Sequence, residues 1–347
     1  MAEPAAVPNS DLVYNLYGGG FLGQFTRLAL LLDVFTPLSA GPAGAESVAA
    51  ACNADVTGIR ALLDQLCSSE VLEYQPETCA YALTPSAAAF LVRGAKTYAG
   101  DWVLANTDPA MWDRMLDTIR SGEPAGYILP WAQDAWLESY SPSRAAYSLE
   151  LWRTVGLETG TNRPLHLLDL ACGCGIKTLA LAQAHENVHV TCVDSPDVLE
   201  VARDLARRLG VEARTAFLPG DILADDFGTE RFDAALLGLI TYILTPEQNA
   251  SVFRRAYRAL RPGGRLVIDA IMASDRPSEW ASRATLLMST WNGGAAHSFA
   301  DYRGWLEQAG FRVIVQHNRQ WLSAVKSAPG REDKHAAVLG VVLNTGH

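Results

Sequence analysis

Long apolar runs are missing from this 347-residue chain: none reaches the roughly 18 residues that would cross a bilayer. Basic clusters are missing too. Lysine and arginine total 28 against 38 acidic residues, the formal net charge is -10, and a surface that tracks nucleic-acid phosphates needs the opposite. The six cysteines, Cys52, Cys67, Cys79, Cys172, Cys174 and Cys192, do not form a disulfide framework. Cys172 and Cys174 sit in a glycine turn without partner ligands at zinc spacing, so no metal is expected. The amino terminus, MAEPAAVPNSD, lacks the basic flank and apolar core of a secretory leader. These absences predict a reduced, cytoplasmic chain with neither a membrane nor a nucleic-acid partner. What is present is core material: 49% hydrophobic residues and nine Trp, enough for one large or two medium cores.

The most informative stretch is LLDLACGCG, Leu167 to Gly175. An apolar run ends in Asp169, breaks into small residues at Ala171, Gly173 and Gly175, and passes at once into the helical pattern IKTLALAQAH. A strand, a tight turn and a helix start let a ligand lie against bare backbone beside free helix amides. About twenty residues on, a second apolar run, VHVTCV, ends in Asp194, where an acid can hold a ribose diol. The pair predicts a nucleoside-type cofactor site in the carboxyl-terminal half.

Three segments are expected. Residues 1–96 read as short helices and a hairpin. FTRLALLLDVFTPL is apolar at helical spacing, ESVAAACNADVTGIRALLDQLCSSEVLEY holds two more helices with Thr57 as an N-cap, and EVLEY with YALTP makes a two-stranded wing. This is a winged-helix pattern. Its recognition-helix candidate, VTGIRALLDQLCSS, carries a single Arg, which favours packing or dimerisation over DNA. Residues 97–160 form a helical linker rich in Trp and Tyr, interrupted by Pro109, Pro130 and Pro142. It serves either as a filled core or as an aromatic wall over a pocket. Residues 161–347 alternate strand and helix. LHLLDLA, VHVTCV, ARTAFLP, FDAALLGLI, GRLVIDAIM and FRVIVQH are the strands, and AAVLGVVLN returns as an antiparallel one. The expected fold is α/β: a Rossmann-like, seven-stranded domain preceded by an α-helical winged-helix domain.

Five stretches in this order, LLDLACGCG, VDSPDVLEVA, LPGDIL, FDAALL and ALRPGGRLVI, resemble the class I S-adenosylmethionine-dependent methyltransferases. More closely, the whole chain resembles the small-molecule O-methyltransferases that carry an amino-terminal winged-helix dimerisation domain. The resemblance implies S-adenosylmethionine as cofactor and a homodimer joined through the first domain. It sets Asp169, Ala171, Gly173 and Gly175 along the methionine and ribose, Asp194 on the ribose hydroxyls, and Asp221 and Ile222 on the adenine. Ala171 stands where the family commonly has Gly. Residue by residue, Asp194 also reads as an N-cap and Asp221 as a turn aspartate.

The pattern then departs. Many members place a general-base His after the fourth strand of this domain. LITYILTPEQ puts Tyr242 there. The two acids that support such a His are replaced by Ala270 and Ala296, and a basic residue near the adenine is replaced by Gly238. A similar Tyr occurs in the bacteriochlorophyllide C-methyltransferases, which points toward carbon methylation without naming a substrate. His297 is the nearest other base, or a polar residue at a helix start. Trp131, Trp136, Arg144, Tyr147 and Trp291 are the pocket candidates, and His166, His185 and His189 read as solvent-edge residues and not ligands.

Loss of the His does not abolish methyl transfer. Proximity and orientation supply about 7–11 kcal/mol, a base only about 10²- to 10⁴-fold. The expected activity is methyl transfer to a small aromatic or conjugated metabolite at O, C or N. Two alternatives stay open on the sequence: a cofactor-binding relative turned cyclase or hydroxylase, and a winged-helix regulator that senses a ligand.

Overall fold

The computed structural model describes residues 20–95, 98–126, 142–157, 159–160 and 163–327. Trp131, Trp136 and the run AAVLGVVLN lie outside them. The chain divides into two compact units, one built mainly of residues 1–113 and the other mainly of residues 137–347.

The first unit opens with α1 (Phe21–Leu31), α2 (Phe35–Leu38), α3 (Ala45–Ala51) and α4 (Val56–Ser68). A hairpin follows, β1 (Leu72–Gln75) paired antiparallel with β2 (Ala80–Leu83), then α5 (Pro85–Phe90). Ala29, Leu30, Phe35, Leu63, Leu66 and Tyr81 meet in its core. Tyr81 is buried, and its hydroxyl donates to the exposed Asp64 at 2.6 Å. The cap of α4 is Asp55 and not Thr57: its carboxylate accepts from the amides of Thr57 and Gly58, and Asp55 holds the extended backbone an N-cap needs. On α1, Leu22, Leu28 and Leu31 are exposed, as is Leu32 just after it.

Among the described residues three helices follow, α6 (Gly100–Asn106), α7 (Pro109–Ser121) and α8 (Pro142–Thr154). Pro109 and Pro142 open α7 and α8 instead of interrupting them, because a first-turn residue has no intrahelical amide bond to lose.

The second unit is built on a seven-stranded sheet of order β5-β4-β3-β6-β7-β9-β8. Its elements are β3 (Leu165–Leu170), α9 (Ile176–Ala184), β4 (Val188–Asp194), α10 (Pro196–Arg208), β5 (Thr215–Pro219), β6 (Phe232–Gly238), α11 (Pro246–Ala259), β7 (Leu260–Asp269), α12 (Glu279–Trp291), α13 (Phe299–Ala309), β8 (Val313–Gln316) and β9 (Trp321–Val325). β3 through β7 run parallel, and β9 lies antiparallel between β7 and β8. The central strands are buried on both faces, so LHLLDL and FDAALLG read as near-continuous apolar runs. One face packs Leu167, Val190 and Leu236 under α8, α9 and α10. The other packs Leu168, Leu237 and Ile268 under α11 and α13.

The expected α/β fold with a helical first domain is present. α12 and β9 are elements the sequence pattern does not signal, and among the described residues the antiparallel strand of the sheet is Trp321–Val325. No helix among the described residues is long and apolar enough to cross a membrane.

Candidate functional site

Beyond β3 the backbone turns through Ala171, Gly173 and Gly175 with φ of 56°, 57° and 73°. Left-handed geometry is free for glycine and costs an alanine about 1–2 kcal/mol, so Ala171 carries strain. Gly175 is the N-cap of α9 and no side chain caps it. A Cβ there would stand 2.9 Å from Leu179 Cδ1. The turn therefore offers little but backbone at the strand tips, beside a helix start.

Two carboxylates frame this turn. Asp169, at the end of β3, is 2% exposed and accepts from Thr178 Oγ1 at 2.6 Å. Burial pushes its pKa up to about 6, against the pull of the Thr178 bond and the Lys177 ammonium. Asp194, at the end of β4, accepts from the amides of Gly173 at 2.9 Å and Ser195 at 2.8 Å, one on each oxygen. Burial raises its pKa despite those bonds. Ser195, not Asp194, is the N-cap of α10. Asp194 is thus bonded to the glycine turn itself, and each of its oxygens keeps a lone pair for a hydroxyl donor. Asp221 closes its own turn, accepting from Leu223 at 2.8 Å, and Ile222 is buried beside it.

Tyr242 lies in the loop after β6. It is 8% exposed, burial raises its pKa, and among the described residues its hydroxyl has no hydrogen-bond partner. The surrounding loop is tightly held. Asn249 Nδ2 donates to the carbonyls of Thr241, Leu244 and Thr245 at 2.9, 3.2 and 3.2 Å. Thr241 Oγ1 is 2.6 Å from the Tyr302 hydroxyl. Thr245 and Gln248 form a capping box at the start of α11. Gly294, after α12, lies so close that a Cβ would stand 2.6 Å from the Tyr242 carbonyl oxygen.

His297 also serves this loop. It is 8% exposed and its Nε2 sits 3.2 Å from the Leu244 carbonyl. Its ring packs edge-on against Trp305 at 4.8 Å, and burial lowers its pKa. Ser298, the next residue, caps α13. Ala270 is fully buried beyond β7 and Trp291 is buried at the end of α12. Arg144 is exposed on α8 and close enough to Cys174 to depress its thiol pKa, though burial of that thiol dominates. His166 and His189 are register partners on β3 and β4 and stack at 5.3 Å. His185 ends α9.

The Tyr147 ring of α8 packs edge-on against Trp321 at 5.1 Å. Its hydroxyl accepts from Trp321 Nε1 at 2.7 Å and donates to Asp269 Oδ1 at 3.1 Å. Asp269 is fully buried and its other oxygen is 2.9 Å from Lys177 Nζ. Neither Lys177 nor Asp269 stood out in the sequence. The one available signal was a lone cation in the apolar IKTLALAQA.

Comparison with known proteins agrees with this geometry. The family description "Methyltransferase domain" matches residues 167–264, which hold the glycine turn, Asp194 and Tyr242. "O-methyltransferase dimerisation domain" matches residues 17–93. This is a class I S-adenosylmethionine-dependent methyltransferase of the O-methyltransferase family. The methyltransferase is 28% identical to the N,N-dimethyltransferase OxyT of Streptomyces rimosus, over 82% of this chain and 86% of that one. It is 24% identical to the 3-hydroxy-5-methyl-1-naphthoate 3-O-methyltransferase of Streptomyces sahachiroi, over 88% of this chain and 91% of the relative. Among solved structures, human N-acetylserotonin methyltransferase in complex with S-adenosylmethionine shares the fold at 19% identity. Its TM-score is 0.71, with 94% of this chain and all of that one covered. The cofactor of the methyltransferase is S-adenosylmethionine.

Proposed function

We propose that this methyltransferase acts on an oxygen, nitrogen or carbon atom of a small aromatic or conjugated metabolite, with Tyr242 standing where a general base would. The observation that carries this reading is Tyr242, a buried residue whose hydroxyl has no hydrogen-bond partner among the described residues, on a loop tied down by Asn249 and His297. A raised pKa keeps that hydroxyl protonated at neutral pH, so it donates a hydrogen bond and does not abstract a proton. The acceptors that suit such a site bring their own nucleophilicity: an acidic phenol, an amine or an electron-rich ring carbon. The acceptors named for OxyT and the naphthoate enzyme, an amine and an aromatic hydroxyl, fall in this class.

The cofactor supplies a methyl group on a sulfonium. Asp194 accepts the two ribose hydroxyls, and Ala171, Gly173 and Gly175 let the methionyl and ribose groups lie on backbone. Asp169 stands beside that turn, and Asp221 and Ile222 hold the adenine. The fit rests on the left-handed turn and on the lone pairs left to Asp194. Tyr242 orients the acceptor for in-line attack, and His297 keeps the Tyr242 loop in place. Arg144 and Trp291 line the acceptor side. Trp131 and Trp136 are assigned there from the sequence alone.

Residues 1–96 form the dimerisation domain, 97–160 the linker and 161–347 the catalytic domain of a cytoplasmic homodimer. The dimerisation match and the exposed Leu22, Leu28, Leu31 and Leu32 support the dimer, which a mass measurement in solution tests. The activity is tested with methyl-labelled S-adenosylmethionine and a panel of phenols, aromatic amines and electron-rich arenes. Label appears in product in step with release of S-adenosylhomocysteine. Failure to bind S-adenosylhomocysteine at micromolar concentration overturns the reading.

A further inference from the structure

Lys177, in the first turn of α9, is linked to α8 directly through Trp152 and indirectly through Asp269 of β7. Its carbonyl accepts from Trp152 Nε1 at 2.7 Å, and its ammonium reaches Asp269 Oδ2 at 2.9 Å. Asp269 in turn takes the Tyr147 hydroxyl on its other oxygen, at 3.1 Å. The first bond runs directly from α8 to the first turn of α9, two residues beyond the glycine turn; the second path runs from that turn to the end of β7 and from there to Tyr147 of α8. The path is built for this side chain. Gly238, the register partner of Asp269, is the residue Lys177 crosses, and a Cβ there would stand 3.0 Å from Nζ and 3.1 Å from Cδ. A side chain at 238 would press on the lysine, whose flexible end would have to shift by a few tenths of an ångström.

The charges are arranged to hold it. Asp269 is fully buried and the Lys177 side chain is 16% exposed, so neither partner is free to exchange with water at low cost. The same ammonium favours the ionised form of Asp169, at the end of β3. One lysine thereby serves carboxylates at the tips of β3 and β7, and it is covalently part of the helix that follows the cofactor turn.

We propose that Lys177 is a positioning residue that couples α8 to the cofactor turn through Asp269 and Tyr147. This rests on the assignment of that turn to S-adenosylmethionine. Tyr147, a pocket candidate in the sequence, then acts at a distance: its hydroxyl fixes Asp269, which fixes Lys177, which fixes the start of α9. A change in α8 on acceptor binding reaches the cofactor by the same route, and the coupling runs equally in both directions.

The test is a double-mutant cycle read by calorimetric binding of S-adenosylhomocysteine to the full-length chain. Tyr147→Phe and Lys177→Met each weaken binding roughly fivefold or more, within the usual span of coupled sites. The double variant binds no worse than the weaker single one, because both remove one path. Two results overturn the proposal: a double variant whose loss is the product of the single losses, or a Tyr147→Phe protein with lowered Tm and wild-type affinity. Should Lys177→Met fail to fold, Asp269→Asn takes its place in the cycle and the same outcomes decide. A wild-type chain that binds no S-adenosylhomocysteine removes the cofactor assignment itself, and that is seen before any variant is made.

Discussion

His297 donates from Nε2 to the carbonyl of Leu244, 3.2 Å away, and so ties the chain before α13 to the loop that carries Tyr242. A carbonyl only accepts, so the imidazole must hold its proton on Nε2. Burial disfavours a second proton. This histidine braces a loop; a proton shuttle would need a freer ring.

His297→Gln keeps a donor near Leu244 and is expected to retain most of the turnover. A loss beyond about a hundredfold would instead identify an acid–base group. The folded pKa lies below the ordinary value, so the unfolded chain takes up the proton first as pH falls. The stability this residue contributes is intact above about pH 6.5 and declines as pH drops from there toward the folded pKa. Burial shifts His166 and His317 the same way. Urea unfolding of wild type and His297→Gln at several pH values therefore isolates this residue by difference, and the variant has the shallower acid dependence.

Tyr242→Phe removes one hydroxyl and little else. Turnover is expected to fall about tenfold, the size of one hydrogen bond lost in the transition state, with cofactor affinity unchanged. Steady-state rates and S-adenosylhomocysteine binding measured on the same preparation check both halves. Undiminished turnover would remove the orienting role of Tyr242 and leave proximity as the entire mechanism.

Asp194→Ala is expected to weaken cofactor binding by roughly 1.5–3 kcal/mol, the worth of a hydrogen bond to a charged group. It also frees the amides of Gly173 and Ser195, so the turn loosens. Asp194→Asn keeps an acceptor and loses less. Calorimetry on both variants tests the order.

Gly294→Ala places a methyl 2.6 Å from the Tyr242 carbonyl oxygen and against the neighbouring Ile243 carbonyl, backbone atoms that cannot rotate away. Destabilisation of about 1–3 kcal/mol is expected, and turnover falls along with it. Chemical denaturation and rate measurement report the two effects.

Ala171→Gly goes the other way. Relief of left-handed strain, about 1–2 kcal/mol, exceeds the backbone entropy glycine costs, about 0.5–1 kcal/mol. A small rise in Tm is expected. A fall would mean that contacts of the Ala171 methyl outweigh its φ of 56°.

The cofactor turn was legible because its signals are local: an acid, small residues and a helix start within nine positions. Asp194 was legible for the same reason, one strand further on. Lys177 and Asp269 were not, since they lie far apart in the sequence and meet across the bare backbone of Gly238. Tyr242 was found by its offset from the next helix, but what holds it, Asn249 and Gly294, comes from elements whose neighbours no spacing predicts. Thr57 and Asp55 are both good cap residues two positions apart, and the sequence does not separate them; the structure caps α4 with Asp55. α12 escaped notice because EWASRATLLMSTW scatters its apolar residues instead of lining them on one face. WLSAV is too short to separate from a loop by alternation alone.

The place of β9 has a consequence for synthesis on the ribosome. β7 and β8 are adjacent in the sheet only through β9, and β9 is the last strand of the described chain to be translated. Until Trp321–Val325 leaves the exit tunnel, β7 has an open edge, β8 has nothing to pair with, and Tyr147 lacks its indole donor. A nascent chain stalled before that point therefore exposes an unpaired apolar strand, the kind of edge on which polypeptides aggregate.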